Sequence, residues 1–535
     1  MSIEQNNLPM RKKGRELVIE TRPAYIEDWL ETLPYADFHK TVSILTEAVK
    51  ATNKVPMKAA RRFELVTLYH RSYDYYIETQ IRILSRQTTF KKGQHTSAAQ
   101  DMKQYAIQLS HACKITVRDV LDSTSLFGQA KSPTQQALMS MVYLSHALIY
   151  SFIEYSPVPK KVWHEINSLY GFASGIGQKH TATDTLGESS TTTTIENTYK
   201  QILLASLSDP LHLPYGGIWE LYEQLSLWAV HAQLQAFAEV KNPAGYFVVN
   251  TQEDIPPVSY SKFENSLANQ HHLLLDANSL RDVAQNYLQT LESGKTTDNN
   301  FLLSKNTATK MLVDLGKSWG LPAQRYFPRK VAAGKIDIAA GMNACYYFHN
   351  DENDMAQKAD PYQDTAISVG VEGDEHESLR SVTYNSEQWE LTDQGSNGFC
   401  IWKTGQPAKA IRVGDLVGLK PKTNNPQNTW VLGVVRWLMV RQQNNYKAGI
   451  QTLSPHAQTV TIKALSGNPS ICVKRRGFLT GDPKTGVNVS VITSRGLYAP
   501  QRQLEIIHQD KTYRVTTEKL LETGNYFEQF NYKII

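Results

Sequence analysis

The chain has 535 residues, 56 basic against 51 acidic side chains and 41% hydrophobic residues, which suggests two to four globular domains and excludes a disordered or fibrous chain. It holds no run of about eighteen apolar residues, and Met1 to Arg15 is polar, so neither a membrane span nor a signal peptide is expected. The four cysteines, Cys113, Cys345, Cys400 and Cys472, lie too far apart for a zinc motif and read as reduced, packed thiols of a cytoplasmic protein.

The first half reads as helices. Arg22-Pro23 opens one in which Ile26, Trp29, Leu30 and Leu33 share a face. Val42, Leu45 and Val49 repeat the pattern, and Pro56 precedes a third helix through Phe63 and Tyr69. Ser132-Pro133 opens a long one with Leu138, Met141 and Val142 on one face. The Thr- and Ser-rich stretch from Thr181 to Thr194 reads as a flexible surface loop. Ile218, Leu221, Tyr222, Leu225, Trp228 and Ala229 form the clearest apolar stripe, a core face. The chain turns extended over 245–257, helical over 280–291, and polar over 293–300. Leu302 to Trp319 is the last helix.

After Gly320-Leu321-Pro322 the period becomes that of strands. Candidates are 336–348, 381–391, 399–404, 416–419, 430–440 and 447–453, with turn residues between them. Six short strands can close into a barrel, which removes exposed edges. Further strands over 487–493, 504–508, 512–517 and 526–534 suggest a second, smaller β-unit. The expected fold is therefore α+β and multidomain. An all-α interaction domain spans 1–319, a six-stranded β-barrel 320–465, and a β-rich C-terminal unit 466–535.

Charge is distributed unevenly. Residues 1–320 balance at 31 basic and 31 acidic side chains, while residues 321–535 carry 25 and 20. Nine of those 20 acids fall between Asp351 and Glu377, in an acidic insert over 350–378. The remainder of the C-terminal part carries 24 basic against 11 acidic side chains, a field that attracts an anionic ligand. A tethered acidic segment would compete with such a ligand for the same cations, weakly and in a salt-dependent way.

Two motifs sit in this basic part. Arg325-Tyr326-Phe327-Pro328-Arg329 holds two guanidiniums close together, and Asp393-Gln394-Gly395-Ser396-Asn397-Gly398 is a polar, glycine-rich turn. A guanidinium forks onto phosphate oxygens or onto guanine O6 and N7, and stacks on a purine face. Asp393 supplies an acceptor for the guanine N1–H and N2–H edge, and Gly395 and Gly398 let backbone approach closely. Together they suggest a site for a small, doubly charged purine nucleotide. Tyr326, Phe327 and Trp402 are candidate stacking residues, although barrel packing is the commoner use of such aromatics. Other constellations carry less. His271 and His272 diverge and read as surface residues, and Asp351, Asn353 and Asp354 lack the glycine and glutamate of a calcium loop. Gly171, Gly175 and Gly177 follow no strand, and no nucleophile–base arrangement is legible, so no enzyme is expected.

Residues 321–465 resemble a PilZ domain, the bacterial receptor module for cyclic di-GMP. The family pattern is R-x-x-x-R before the first strand and [D/N]-x-S-x-x-G within the barrel. Arg325 and Arg329 match the first element; Asp393, Gly395 and Gly398 match the second, with Gly395 where serine is usual. Residues 414–419, 432–437 and 448–451 resemble the closing strands, and the N-terminal helices resemble the helical extension of multidomain PilZ-like proteins of proteobacteria. The resemblance implies a cytoplasmic receptor with cyclic di-GMP as ligand and no metal. It also implies a protein partner, among type IV pilus, flagellar or exopolysaccharide machinery. Another class, nucleic-acid binding, rests on the basic C-terminal part and its aromatics; no RNA-binding motif supports it and the helical half is neutral, so no nucleic-acid polymer is expected. Two departures stand out. The 63 residues between Arg329 and Asp393 exceed a compact PilZ spacing, and Gly395 lacks a hydroxyl whose hydrogen bond is worth about 1 kcal/mol. They favour a second reading, a PilZ-like scaffold that acts through protein contacts alone.

Overall fold

The computed structural model describes residues 8–9, 19–86, 94–122, 133–188, 190–295, 297, 300–303, 305–320, 330–350, 384–422, 429–441, 445–465, 472, 474–482, 487–508 and 511–535. These form two compact units, one up to Gly320 and one from Lys330 onward. The acidic insert from Asp351 and the segment Arg325–Arg329 lie outside the described residues.

The first unit begins with α1 (Pro23–Glu31), whose proline takes the first helical position. In α2 (Phe38–Thr52) the Asp37 carboxylate caps the N-terminus by accepting from the Lys40 amide. Then come α3 (Ala59–Arg86), α4 (Gln94–Asp122), α5 (Thr134–Ile153) and α6 (Val162–Gly175). A short hairpin of β1 (Thr183–Asp184) and β2 (Thr192–Thr193) follows, so part of the Thr-rich stretch is paired rather than irregular. After it come α7 (Ile195–Ser206) and α8 (Gly217–Trp228). One core joins residues from Ile26 to Trp319. At 20 residues α5 is long and apolar enough to cross a membrane, but 78% of that stretch is buried in the unit, which makes it a core helix.

The sequence reading missed α4, the helix against which α5, α2 and α3 all pack. Its buried face mixes Met102, Tyr105, Leu109, Ile115 and Val117 with small and polar residues, Ala99, Ala106, Ser110, Ala112 and Cys113. Small residues let α4 and α5 approach closely, and Ser110 Oγ lies 2.9 Å from Ser140 Oγ between them.

The unit is also not all-α. Strands β3 (Gln233–Ala236), β4 (Tyr246–Asn250), β5 (Val258–Ser259) and β6 (His272–Asp276) form an antiparallel sheet in the order β3-β6-β4-β5. His272, expected at the surface, is buried in β6, with Nδ1 2.9 Å from Asn269 Oδ1. Helices α9 (Asn278–Glu292) and α10 (Lys305–Ser318) complete the unit.

The second unit is two closed barrels. The first contains β7 (Lys330–Ala340), β8 (Glu387–Gly395), β9 (Gly398–Lys403), β10 (Leu416–Pro421), β11 (Val431–Arg441) and β12 (Asn445–Ser454), in the order β10-β11-β12-β9-β8-β7. The second contains β13 (Gln458–Ala464), β14 (Arg475–Asp482), β15 (Val487–Ser494), β16 (Gln503–His508), β17 (Lys511–Thr523) and β18 (Phe527–Ile534), in the order β13-β14-β15-β18-β17-β16. Two strand expectations are corrected here. Residues 342–348 continue no strand: Gly341, at φ 90°, turns the chain into α11 (Met342–His349). Tertiary packing overrides the strand propensity of Tyr346, Tyr347 and Phe348, because Met342 and Cys345 bury between the barrels. In addition, 458–464, counted with residues 320–465, is the first strand of the second barrel, and β14 had no counterpart in the reading.

The barrels share a core in which Met342, Leu416, Leu432 and Val434 meet Phe478, Ile492 and Phe527. Polar contacts close the junction. Asn525 Nδ2 donates to the Val413 carbonyl and to Asp415 Oδ1, both at 2.8 Å. Burial raises the Asp415 carboxyl above its usual range, opposed by that bond from Asn525 and by the nearby Arg412.

Candidate functional site

The glycine-rich motif is a β-hairpin. Strand β8 ends at Gly395, Ser396 and Asn397 make the turn, and β9 starts at Gly398, which pairs with Gly395. The turn is pinned laterally, since the Thr452 amide of β12 donates to the Asn397 carbonyl at 3.0 Å. Strand β8 is irregular on both sides just before the turn. The ladder to β9 shifts between Leu391 and Asp393, and the ladder to β7 shifts between Val331 and Gly334. Such bulges increase local twist and re-aim side chains. At the β9 shift, Thr392 Oγ1 donates to the Cys400 carbonyl at 3.0 Å.

A single register row crosses five strands here: Val331, Asp393, Cys400, Gly449 and Trp437. Residues opposed in this way share a face, and Val331 at 92% exposure shows that this face is the outer one. Asp393 therefore sits on the outside of the barrel, half-buried, beside an exposed valine. The neighbouring row is Gly395, Gly398, Gln451 and Val434.

The structure brings Asp393, Gly395 and Gly398 together. Lys330, which follows Arg329 in the chain, pairs with Gln394 between them. Arg325 and Arg329 themselves, with Tyr326 and Phe327, are outside the described residues. Trp402 is four residues from Gly398 along β9, about 13 Å at strand rise, and pairs with Glu390 and Lys447 instead. Gly398 has a structural use of its own, because a Cβ there would lie 2.1 Å from the Ile450 carbonyl oxygen. Among the described residues no group of three or more His, Cys, Asp or Glu could hold a metal ion.

Sequence reasoning missed three outer-face residues. Trp437 lies across Gly449, whose Cβ would collide with the indole. Gln451 stands directly opposite Gly398. Arg436, in the bulge between Val435 and Trp437, donates to Gln451 Oε1 from Nε at 2.7 Å. The sequence signals for them were the segments 432–437 and 448–451, read as closing strands, which give no register.

Family comparisons cover most of the chain. The N-terminal domain of cyclic-di-GMP receptor FimW matches residues 24–239. Its middle PilZ domain matches 246–366 and 356–459, and the FimW C-terminal beta-barrel domain matches 476–535. The chain belongs to the PilZ-domain family of cyclic di-GMP receptors. It is 24% identical to the cyclic-di-GMP receptor FimW of Pseudomonas aeruginosa, over 96% of this chain and 91% of the relative. The match to the middle PilZ domain starts at residue 246, so it includes β4 to β6, α9 and α10, which pack with the helical unit, as well as the PilZ barrel. The FimW C-terminal match corresponds to β14 to β18 of the second barrel.

Proposed function

We propose that this chain is a cytoplasmic receptor that binds cyclic di-GMP on the outer face of its PilZ barrel, at the β8–β9 turn. Arg325 and Arg329 would grip phosphates and guanine edges, Asp393 would accept from a guanine, and Gly395 and Gly398 would admit the ligand to the backbone. The observation that carries the reading is the pairing of Lys330 with Gln394. It ties the strand that immediately follows Arg329 to the Asp393–Gly398 turn, which supports reading the two halves of the motif as one site. The FimW relative, named as a cyclic-di-GMP receptor and matched along nearly the whole chain, supports the same ligand. In this reading the chain is not an enzyme. Occupancy changes how the helical unit meets a protein partner, with pili, motility or exopolysaccharide as the output.

Titrating the whole chain with cyclic di-GMP tests the site. Arg325→Ala and Arg329→Ala should each weaken binding by about 2–4 kcal/mol, because each strips charge-assisted contacts. Wild-type affinity in Arg329→Ala refutes the site assignment. One observation favours the scaffold reading, namely Gly395 in place of the serine of the pattern. That reading predicts no heat of binding from the wild-type chain.

A further inference from the structure

The outer face beside the turn holds a polar chain that the motif residues do not account for. Gln451 is exposed and directly opposite Gly398, which has no side chain to cover it. Its Oε1 accepts from Arg436 Nε at 2.7 Å. The two terminal nitrogens of the same guanidinium fork onto Glu522 in β17 of the second barrel, at 3.0 and 2.7 Å. Arg436 is 25% exposed and Glu522 17%, so this fork is largely shielded and less screened than a surface pair.

The chemistry of these groups fixes the amide. Arginine has donors only, so the oxygen of Gln451 must face Arg436, and its NH2 is left facing away from the guanidinium. An amide held in this way is a pre-oriented donor next to the turn. Acceptor atoms are what a nucleotide phosphate and the O6/N7 edge of guanine both present. We propose that Gln451 is a further ligand-binding residue, donating its amide N–H groups to acceptor atoms of the nucleotide, and that Arg436 and Glu522 are positioning residues that fix its orientation. The second barrel thereby helps to build the site on the first. This inference rests on the assignment of cyclic di-GMP to the PilZ barrel.

The test is calorimetric titration of the full chain with cyclic di-GMP, together with the thermal midpoint of each variant without ligand. Gln451→Glu keeps the shape and the bond to Arg436 but replaces the donor with a carboxylate oxygen. It should weaken binding at least tenfold with an unchanged or higher midpoint. Gln451→Met removes the donors without adding charge and should weaken binding about threefold to tenfold, corresponding to the loss of one ordinary hydrogen bond or slightly more. Glu522→Gln, in the other barrel, should weaken binding about twofold to fivefold, since half the fork remains, and Glu522→Asp should fall between it and wild type. If wild type binds and both Gln451 variants stay within twofold of it, Gln451 is not a ligand residue. If the Gln451 variants lose affinity but Glu522→Gln does not, the positioning role is overturned. A wild-type chain that binds no cyclic di-GMP overturns the underlying assignment, and this inference with it.

Discussion

The two glycines of the turn face different constraints. Gly398 is required by the barrel itself, because its hydrogen points at the Ile450 carbonyl where a methyl would not fit. Gly398→Ala should destabilise the barrel by about 1–3 kcal/mol through overpacking, seen as a lower thermal midpoint before any ligand is added. Gly395→Ser restores the residue of the family pattern and should tighten nucleotide binding by about 0.5–1.5 kcal/mol; weaker binding at an unchanged midpoint would count against that role. The pH response comes from elsewhere. Burial, with His70 adding to it, pushes the His146 imidazole down from 6.5 to about 3, with Nδ1 3.1 Å from the Tyr73 hydroxyl. The unfolded chain therefore binds the extra proton first. The stability that His146 contributes is complete above pH 6.5 and falls as the pH drops toward 3, by at most about 1.4 kcal/mol per unit. In His146→Gln the midpoint should fall less steeply over that range than in wild type; equal slopes would contradict the assignment. At this scale the motif residues were legible because their spacing is local in sequence. Gln451, Arg436 and Glu522 were not, because only the register of β12 against β9 and the docking of β17 bring them to the turn.

Among the elements, those with large apolar residues at helical spacing, such as α1, α2 and α8, were readable, and so were the alternating strands of the first barrel. Helix α4 was missed although Met102, Tyr105, Leu109 and Val117 share its buried face at helical spacing; Ala, Ser and Cys interrupt that stripe, as do two lysines whose charge is met inside the fold. Lys103 Nζ lies 3.0 Å from Glu154 Oε2, with side-chain exposures of 6% and 10%. Burial raises the Glu154 carboxyl while Lys103 opposes the shift. Removing one partner of such a pair leaves an uncompensated charge, so Glu154→Ala should cost about 3–5 kcal/mol. Chemical denaturation checks this, and a loss below about 1 kcal/mol would mean that water replaces the carboxylate. Helix α11 was misread because local propensity and packing disagree. Its aromatic run favours a strand locally, and the junction between the barrels imposes a helix.

On the scale of the molecule, the barrel junction explains why two barrels behave as one body. Phe478 of β14 is fully buried against residues of the first barrel and of α11. Phe478→Ala should cost about 3–5 kcal/mol and lower the protection of amides in both barrels together in hydrogen exchange. Loss confined to β13–β18 would show that the barrels fold independently. Arg436 adds a polar link between the barrels through its fork onto Glu522. The central claim is that the PilZ barrel binds cyclic di-GMP at that turn. Hydrogen exchange of the wild-type chain with and without cyclic di-GMP tests it most directly. The account predicts new protection at residues 330–331, 393–400 and 449–452, produced by cyclic di-GMP and not by two equivalents of GMP. Unchanged exchange at the turn, or protection appearing only in the helical unit, would contradict it.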